Sequence, residues 1–121
     1  NILTRDYARF GKLFRDHGRL HDQQIIPENW IKESLTPDAP HLLAKRRDDG
    51  SVKFGYGYQW WLPLDADEEF LAIGIYGQFI YINRKDDVVI VKNSADINFL
   101  QNNYESKEIA VAAFRALAKS I

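Results

Sequence analysis

A reactive site needs a nucleophile, a proton carrier, metal ligands or aimed dipoles. The stretch best able to supply one of these is Gly74-Ile75-Tyr76-Gly77-Gln78, set inside a run of strand-forming residues. Glycine weakens a strand interior, so two glycines three residues apart need a reason. One reason is the close approach of a ligand or of another backbone. Bare N–H groups on a strand edge can hold a developing oxyanion in acyl transfer. The other reason is a β-bulge with no ligand. On these residues alone both readings stand.

Other chemistry is harder to assemble. A serine nucleophile needs a base within hydrogen-bond reach. Ser34, Ser51, Ser94, Ser106 and Ser120 form neither a Ser-x-x-Lys arrangement nor a Gly-x-Ser-x-Gly elbow. Ser51 precedes Lys53 by two residues and Ser106 abuts Lys107, and neither spacing puts both groups on one helical face. No glycine-rich loop leads into Lys-Ser or Lys-Thr. His17 and His21 are four apart, a spacing that can hold a metal on one helix, but Gly18 interrupts them. His41 has no partner near it. The acids Asp65, Asp67, Glu68 and Glu69 lack the glycine and alternation of a calcium loop and read as a solvated turn. Arg46 and Arg47 are followed at once by Asp48 and Asp49, a self-neutralised loop. Tyr56, Tyr58, Trp60 and Trp61 could line a groove or pack a strand on a helix. Trp60 and Trp61 are neighbours on a strand and must face opposite sides. These residues predict no metal site and no nucleophile in this chain.

The elements that would position the glycine stretch follow from periodicity. Thr4 as N-cap, then Tyr7, Phe10, Leu13 and Phe14, predict a helix that Gly18 ends in a left-handed conformation. Pro27 suits the first position of a second helix, with Trp30, Ile31 and Leu35 on its buried side. Residues 36–54 read as a solvated loop. Strands are expected within 55–94: Tyr56–Leu62, Phe70–Ile75, Phe79–Ile82 and Val88–Val91, with Arg84–Asp87 as a hairpin tip. A final helix spans 105–121, with Ile109, Ala113 and Leu117 on one side and Ala110, Phe114 and Ile121 beside them. The expected fold class is α+β: an antiparallel sheet of about three to four strands flanked by helices.

Bulk properties narrow the partners. At 121 residues, 45% hydrophobic and 27% charged, the chain can bury one modest core. A net charge of -1 gives no electrostatic reason to expect nucleic acid. No apolar run approaches the roughly 20 residues of a membrane span. The absence of cysteine excludes disulfides and thiolate chemistry. The chain starts at Asn1 and has no methionine, so it reads as an excised or truncated piece.

Taken in order, these segments resemble the β-lactamase-like serine hydrolases, a superfamily that takes in class C β-lactamases, penicillin-binding proteins, esterases and 6-aminohexanoate-dimer hydrolases. The resemblance rests on Thr4-Arg5-Asp6-Tyr7-Ala8-Arg9-Phe10-Gly11-Lys12-Leu13, then His17-Gly18-Arg19 and Gln24-Ile25-Ile26-Pro27-Glu28-Asn29-Trp30. It continues in Tyr56-Gly57-Tyr58-Gln59-Trp60-Trp61-Leu62, Gly74-Ile75-Tyr76-Gly77-Gln78-Phe79-Ile80-Tyr81-Ile82 and Asp87-Val88-Val89-Ile90-Val91. No single motif is decisive; their order and spacing together are fairly specific.

The resemblance implies that residues 1–121 are one C-terminal fragment of an incomplete β-lactamase-like α/β domain. The whole protein would cleave an ester or amide bond through an acyl-serine. Its Ser-x-x-Lys and its tyrosine would lie upstream of Asn1, leaving this chain inactive alone. The strand around Ala72 to Gln78 looks equivalent to the family's Lys-Thr-Gly strand, although no Lys-Thr-Gly occurs. By that equivalence the oxyanion-binding N–H lies near Ile75, with Tyr76 and Gln78 touching or supporting the site. Tyr104, after Asn102 and Asn103, is in the wrong place for the family's tyrosine. No cofactor is implied. The implied partners are a small ester or amide substrate, the missing N-terminal part, and a second copy through an exposed sheet edge. Periplasmic or secreted placement fits the resemblance, and the residues do not fix a compartment. The alternative is a non-catalytic binding domain on a degenerate sheet of this type.

Overall fold

The computed structural model describes residues 2–99 and 105–121. The first helix, α1 (Thr4–Arg15), is followed by a small hairpin of β1 (Arg19–Leu20) and β2 (Gln23–Gln24), then by α2 (Glu28–Ser34). A 3-10 turn (Pro40–Leu42) leads to a second small hairpin, β3 (Lys45–Arg46) with β4 (Val52–Lys53). The main sheet then runs as a meander: β5 (Gly55–Tyr56), β6 (Trp61–Leu62), β7 (Glu69–Gly74), β8 (Gln78–Asn83) and β9 (Val88–Lys92). It is antiparallel throughout, in the order β5-β6-β7-β8-β9. The helix α3 (Glu105–Ala118) closes the chain.

The sheet is the middle of three layers. Side chains alternate across a strand, and here both faces are covered. Phe70, Ile82, Ala72, Ile80 and Val89 pack with Phe14 of α1 and Ile31 of α2. Leu71, Tyr81, Phe79, Ile73 and Ile90 pack with Val111 and Phe114 of α3. Trp60 lies in the first cluster and Trp61 against the second, as adjacent strand residues must. The α1 helix approaches the sheet closely at Gly11, where an added Cβ would stand 2.7 Å from Val89 Cγ1.

Several elements differ in detail from the sequence expectation. Thr4 is the first helical residue rather than the cap, and its hydroxyl instead accepts from Asn93 Nδ2 at 2.6 Å. Pro27 sits one residue before α2, as its N-cap. Trp30 is half exposed and packs against Tyr58 in a tilted ring pair with centroids 5.4 Å apart. Gly18 does take the left-handed conformation (φ 81), preceded by His17 (φ 54). The stretch 36–54 is less open than a solvated loop, because Val52 and Phe54 are buried under α3. Tyr56–Leu62 is not one strand. Gln59 has φ 66, so the segment folds back and its halves pair as β5 and β6, bringing the main sheet to five strands. Gly57 makes that fold possible: its Cβ would lie 2.0 Å from the Ser34 carbonyl oxygen. On α3 the buried side is Val111, Phe114 and Ala118, while Ile109 and Leu117 face outward.

Glu69 departs most from expectation. It is buried in β7 rather than solvated in a turn. Its carboxylate accepts from Tyr81 Oη at 2.6 Å and from Arg115 Nε at 2.7 Å. Asn83 Nδ2 donates to the Tyr81 oxygen at 3.3 Å. An Arg–carboxylate pair with every member hydrogen-bonded fixes the rotation of α3 on the sheet. Burial, and then the neighbouring Glu69 carboxylate, push the Tyr81 phenol above its ordinary range.

Gly57→Ala is expected to lower stability by about 2–4 kcal/mol, because backbone must move. Gly50→Ala, with open space around it and only a left-handed φ to strain, should cost about 1 kcal/mol. Urea midpoints compare the two, and equal losses would contradict the close packing at Gly57. A phenol whose folded-state pKa is raised contributes stability below the ordinary tyrosine range, and that stability is lost as pH rises through it. The fall in urea midpoint from pH 9 to pH 11 should therefore be shallower in Tyr81→Phe than in the native chain. At pH 7 the same substitution should cost about 1 kcal/mol through the lost hydrogen bond.

Candidate active site

The glycine stretch forms the connection between β7 and β8, so all its residues come together at one hairpin tip. On the α1 side β7 presents Phe70, Ala72 and Gly74, side chains that shrink toward the tip. That taper opens a cleft of about 330 Å³ lined by Tyr7, Ala72, Gly74, Gln78, Lys92 and Asn93. A second cleft of about 640 Å³ borders the same Ile73–Ile75 segment and is lined by Ser51, Phe54, Trp61 and Lys107 among others. The small residue Gly74 lets Gln78, its cross-strand partner, lie close against it.

The tip backbone is unusual. Tyr76 (φ 65) and Gly77 (φ 76) are both left-handed, as the central residues of primed hairpin turns are. Glycine and asparagine suit those positions; a bulky tyrosine does not. Each tip carbonyl has a donor. Gln78 Nε2 reaches Ile75 O at 3.1 Å, the Asp96 N–H reaches Tyr76 O at 3.1 Å, and Lys92 Nζ reaches Gly77 O at 2.8 Å. Among the described residues, the N–H groups of Ile75, Tyr76 and Gly77 donate to no acceptor. The tip thus has its acceptors occupied and its donors open, the polarity an oxyanion requires. Gln78 supports the tip from within. Tyr76 is half exposed, as is Ile75.

The remaining candidates do not gather into a second centre. Ser51 Oγ donates to Asp49 Oδ1 at 2.6 Å, and that bond, first of its causes, holds the exposed Asp49 carboxyl below its ordinary range. Ser34 and Ser120 donate to backbone carbonyls within their own helix ends. No serine hydroxyl among the described residues hydrogen-bonds a lysine or histidine. His17 and His21 both sit at left-handed turn positions flanking β1. Among the described residues no group of three or more potential ligands could hold a metal. Tyr104, weighed above, lies outside the described residues. Sequence reasoning missed Lys92 and Asp96, since a brace from the strand and loop beyond β8 has no local signature.

No family model matches the chain. It is 27% identical over 96 residues to a 6-aminohexanoate-dimer hydrolase from Paenarthrobacter ureafaciens, covering 78% of this chain and 24% of that protein. The solved structure of a Bacillus anthracis protein assigned as a 6-aminohexanoate-dimer hydrolase superposes with a TM-score of 0.63 at 29% identity. That match covers 93% of this chain and 29% of the other. A crystal structure assigned as a β-lactamase from Bacteroides dorei matches at 20% identity and TM-score 0.52, over 75% of this chain and 32% of that one, a likeness of fold. The architecture is thus similar to part of the β-lactamase-like fold. The chain is similar to proteins named 6-aminohexanoate-dimer hydrolase and β-lactamase, and it spans about a quarter to a third of the length of these relatives.

A left-handed tyrosine stores about 1 kcal/mol of local strain. Tyr76→Asn should therefore raise stability by about 0.5–1 kcal/mol, read as a higher urea midpoint, and Gly77→Ala should lower it by about as much. If neither moves, the tip is not held in the conformation described.

Proposed function

We propose that this chain supplies one wall of the active site of a hydrolase that cleaves an ester or amide through an acyl-serine. The observation that carries the reading is the β7–β8 tip, with open N–H donors beside a cleft. In the proposed reaction a serine oxygen from a segment outside this chain attacks the substrate carbonyl carbon. The carbonyl oxygen takes up negative charge and accepts a hydrogen bond from the Ile75 N–H. Collapse of the adduct expels the alcohol or amine, which takes up a proton, and leaves the acyl-serine, which water then cleaves. An amide substrate is favoured by the relatives that bear the 6-aminohexanoate-dimer name. On this reading the 121 residues are one C-terminal fragment of the catalytic domain and are inactive by themselves, because no serine here is paired with a base.

Self-association belongs to the same reading. Strand β9 is an edge of the main sheet and carries Val88, Val89, Ile90 and Val91. Such an edge is a template for a further strand. A second copy would use it when no other segment does.

The rival reading, a non-catalytic binding domain, draws on one observation: the exposed Trp30–Tyr58 pair offers an aromatic contact surface. Labelling with a serine-reactive fluorophosphonate separates the two readings. In a longer gene product containing this chain, a serine outside these 121 residues is expected to be modified, and the isolated chain is expected to stay unlabelled. A folded longer product that takes no label would favour the binding domain. A label on a serine within this chain would show the nucleophile to have been misplaced. Sedimentation of the isolated chain should reveal concentration-dependent dimers, and a tight, stable monomer would remove the edge proposal.

A further inference from the structure

We infer that Lys92 is the positioning residue of the oxyanion tip. The inference rests on the proposed role of the Ile75 N–H and adds to it a group that braces the turn carrying that N–H. Lys92 ends β9 and lies opposite Phe79 in the ladder. Its ammonium stands 5.7 Å from the Phe79 ring centroid and donates to Gly77 O at 2.8 Å. The side chain is thereby steered from an aromatic face onto the carbonyl of the last tip residue.

The geometry matters because a turn of this size has little freedom. Fixing the Gly77 carbonyl fixes the peptide plane that follows the left-handed pair. The Asp96 N–H holds the preceding carbonyl, of Tyr76, and Gln78 holds that of Ile75. Of these three donors Gln78 belongs to the hairpin itself, and the Asp96 amide comes from the loop after β9. Lys92 is the only charged one of the three, and a charged donor makes a stronger bond to a carbonyl than a neutral amide does. It is also rooted in the sheet, because its strand pairs with β8 along five positions. The neighbouring Asn93 ties the end of that strand to Thr4 at the start of α1. The tip is therefore referenced to the layers of the fold rather than left to the hairpin alone.

Lys92→Met keeps the stem over Phe79 and deletes the donor, while Lys92→Arg restores one. Two measurements are needed. The first is the backbone 15N–1H spectrum and heteronuclear NOE of the 121-residue chain. Lys92→Met should shift the Ile75, Tyr76 and Gly77 amides and lower their order, with the Tyr81 and Phe114 core signals unmoved, and Lys92→Arg should return them. Tip signals that stay unchanged in Lys92→Met overturn the brace, whether or not the protein is a hydrolase. The second is turnover by a longer gene product. Lys92→Met should lower kcat by about tenfold or more, as loss of aim on a catalytic group does, with KM within about twofold and recovery in Lys92→Arg. A loosened tip with kcat unchanged overturns the positioning role and the Ile75 assignment together. A longer product without any turnover counts against the hydrolase reading, and the spectra still decide the brace.

Discussion

Strands β7 and β8 must be buried on both faces at once, and the rest of the molecule follows from that constraint. Six register pairs join them, from Glu69 with Asn83 to Gly74 with Gln78. Because the side-chain period is two, each strand feeds two cores, and a slip of one residue would exchange them. Phe70 and Ile82 would then meet α3, and Leu71 and Tyr81 would meet α1. The Glu69–Tyr81–Arg115 network blocks such a slip, since it places a carboxylate and its partners where no apolar contact could replace them. At the other end of the same ladder lies the glycine tip. The pairing that makes the two cores therefore also sets the position of the tip backbone.

Much of this was legible in the residues. Tyr7, Phe10, Leu13 and Phe14 gave the first helix, and the Val88–Val91 run gave a strand that pairs back after the Arg84–Asp87 tip. Trp60 and Trp61 had to part company on geometric grounds alone. The glycine pair at 74 and 77 marked a break in strand character, read as lying inside a strand run, where the structure has the turn between β7 and β8. In each case the signal is local, a period or a conformation that one residue type tolerates best.

What escaped was non-local. Alanines at 110, 112, 113, 116 and 118 make α3 apolar over most of its circumference. Which stripe is buried was decided by Phe79 and Tyr81, whose rings stand 5.6 and 5.3 Å from Phe114. Glu69 looked like one more acid in an acidic turn because its cationic partner lies 46 residues away. Tyr56–Leu62 read as one strand because strand propensity is high at every aromatic. The break depends on Gly57 meeting the end of α2, a contact that no propensity encodes.

Conformational strain sits where function is proposed. Tyr76 occupies a conformation that asparagine or glycine would hold more cheaply, and its neighbour Gly77 already supplies one left-handed residue. Sequences relax such positions unless something requires the side chain or the backbone it enforces. In this fold the backbone is the better candidate. The tip carbonyls are all engaged, by Gln78, Asp96 and Lys92. The peptide planes of those three carbonyls also carry the N–H groups of Tyr76, Gly77 and Gln78, so the same donors fix the backbone through the turn. On the proposed reading, a chain without the nucleophile can still contribute to a catalytic site. Oxyanion stabilisation needs no reactive side chain, only a backbone that does not move when charge develops.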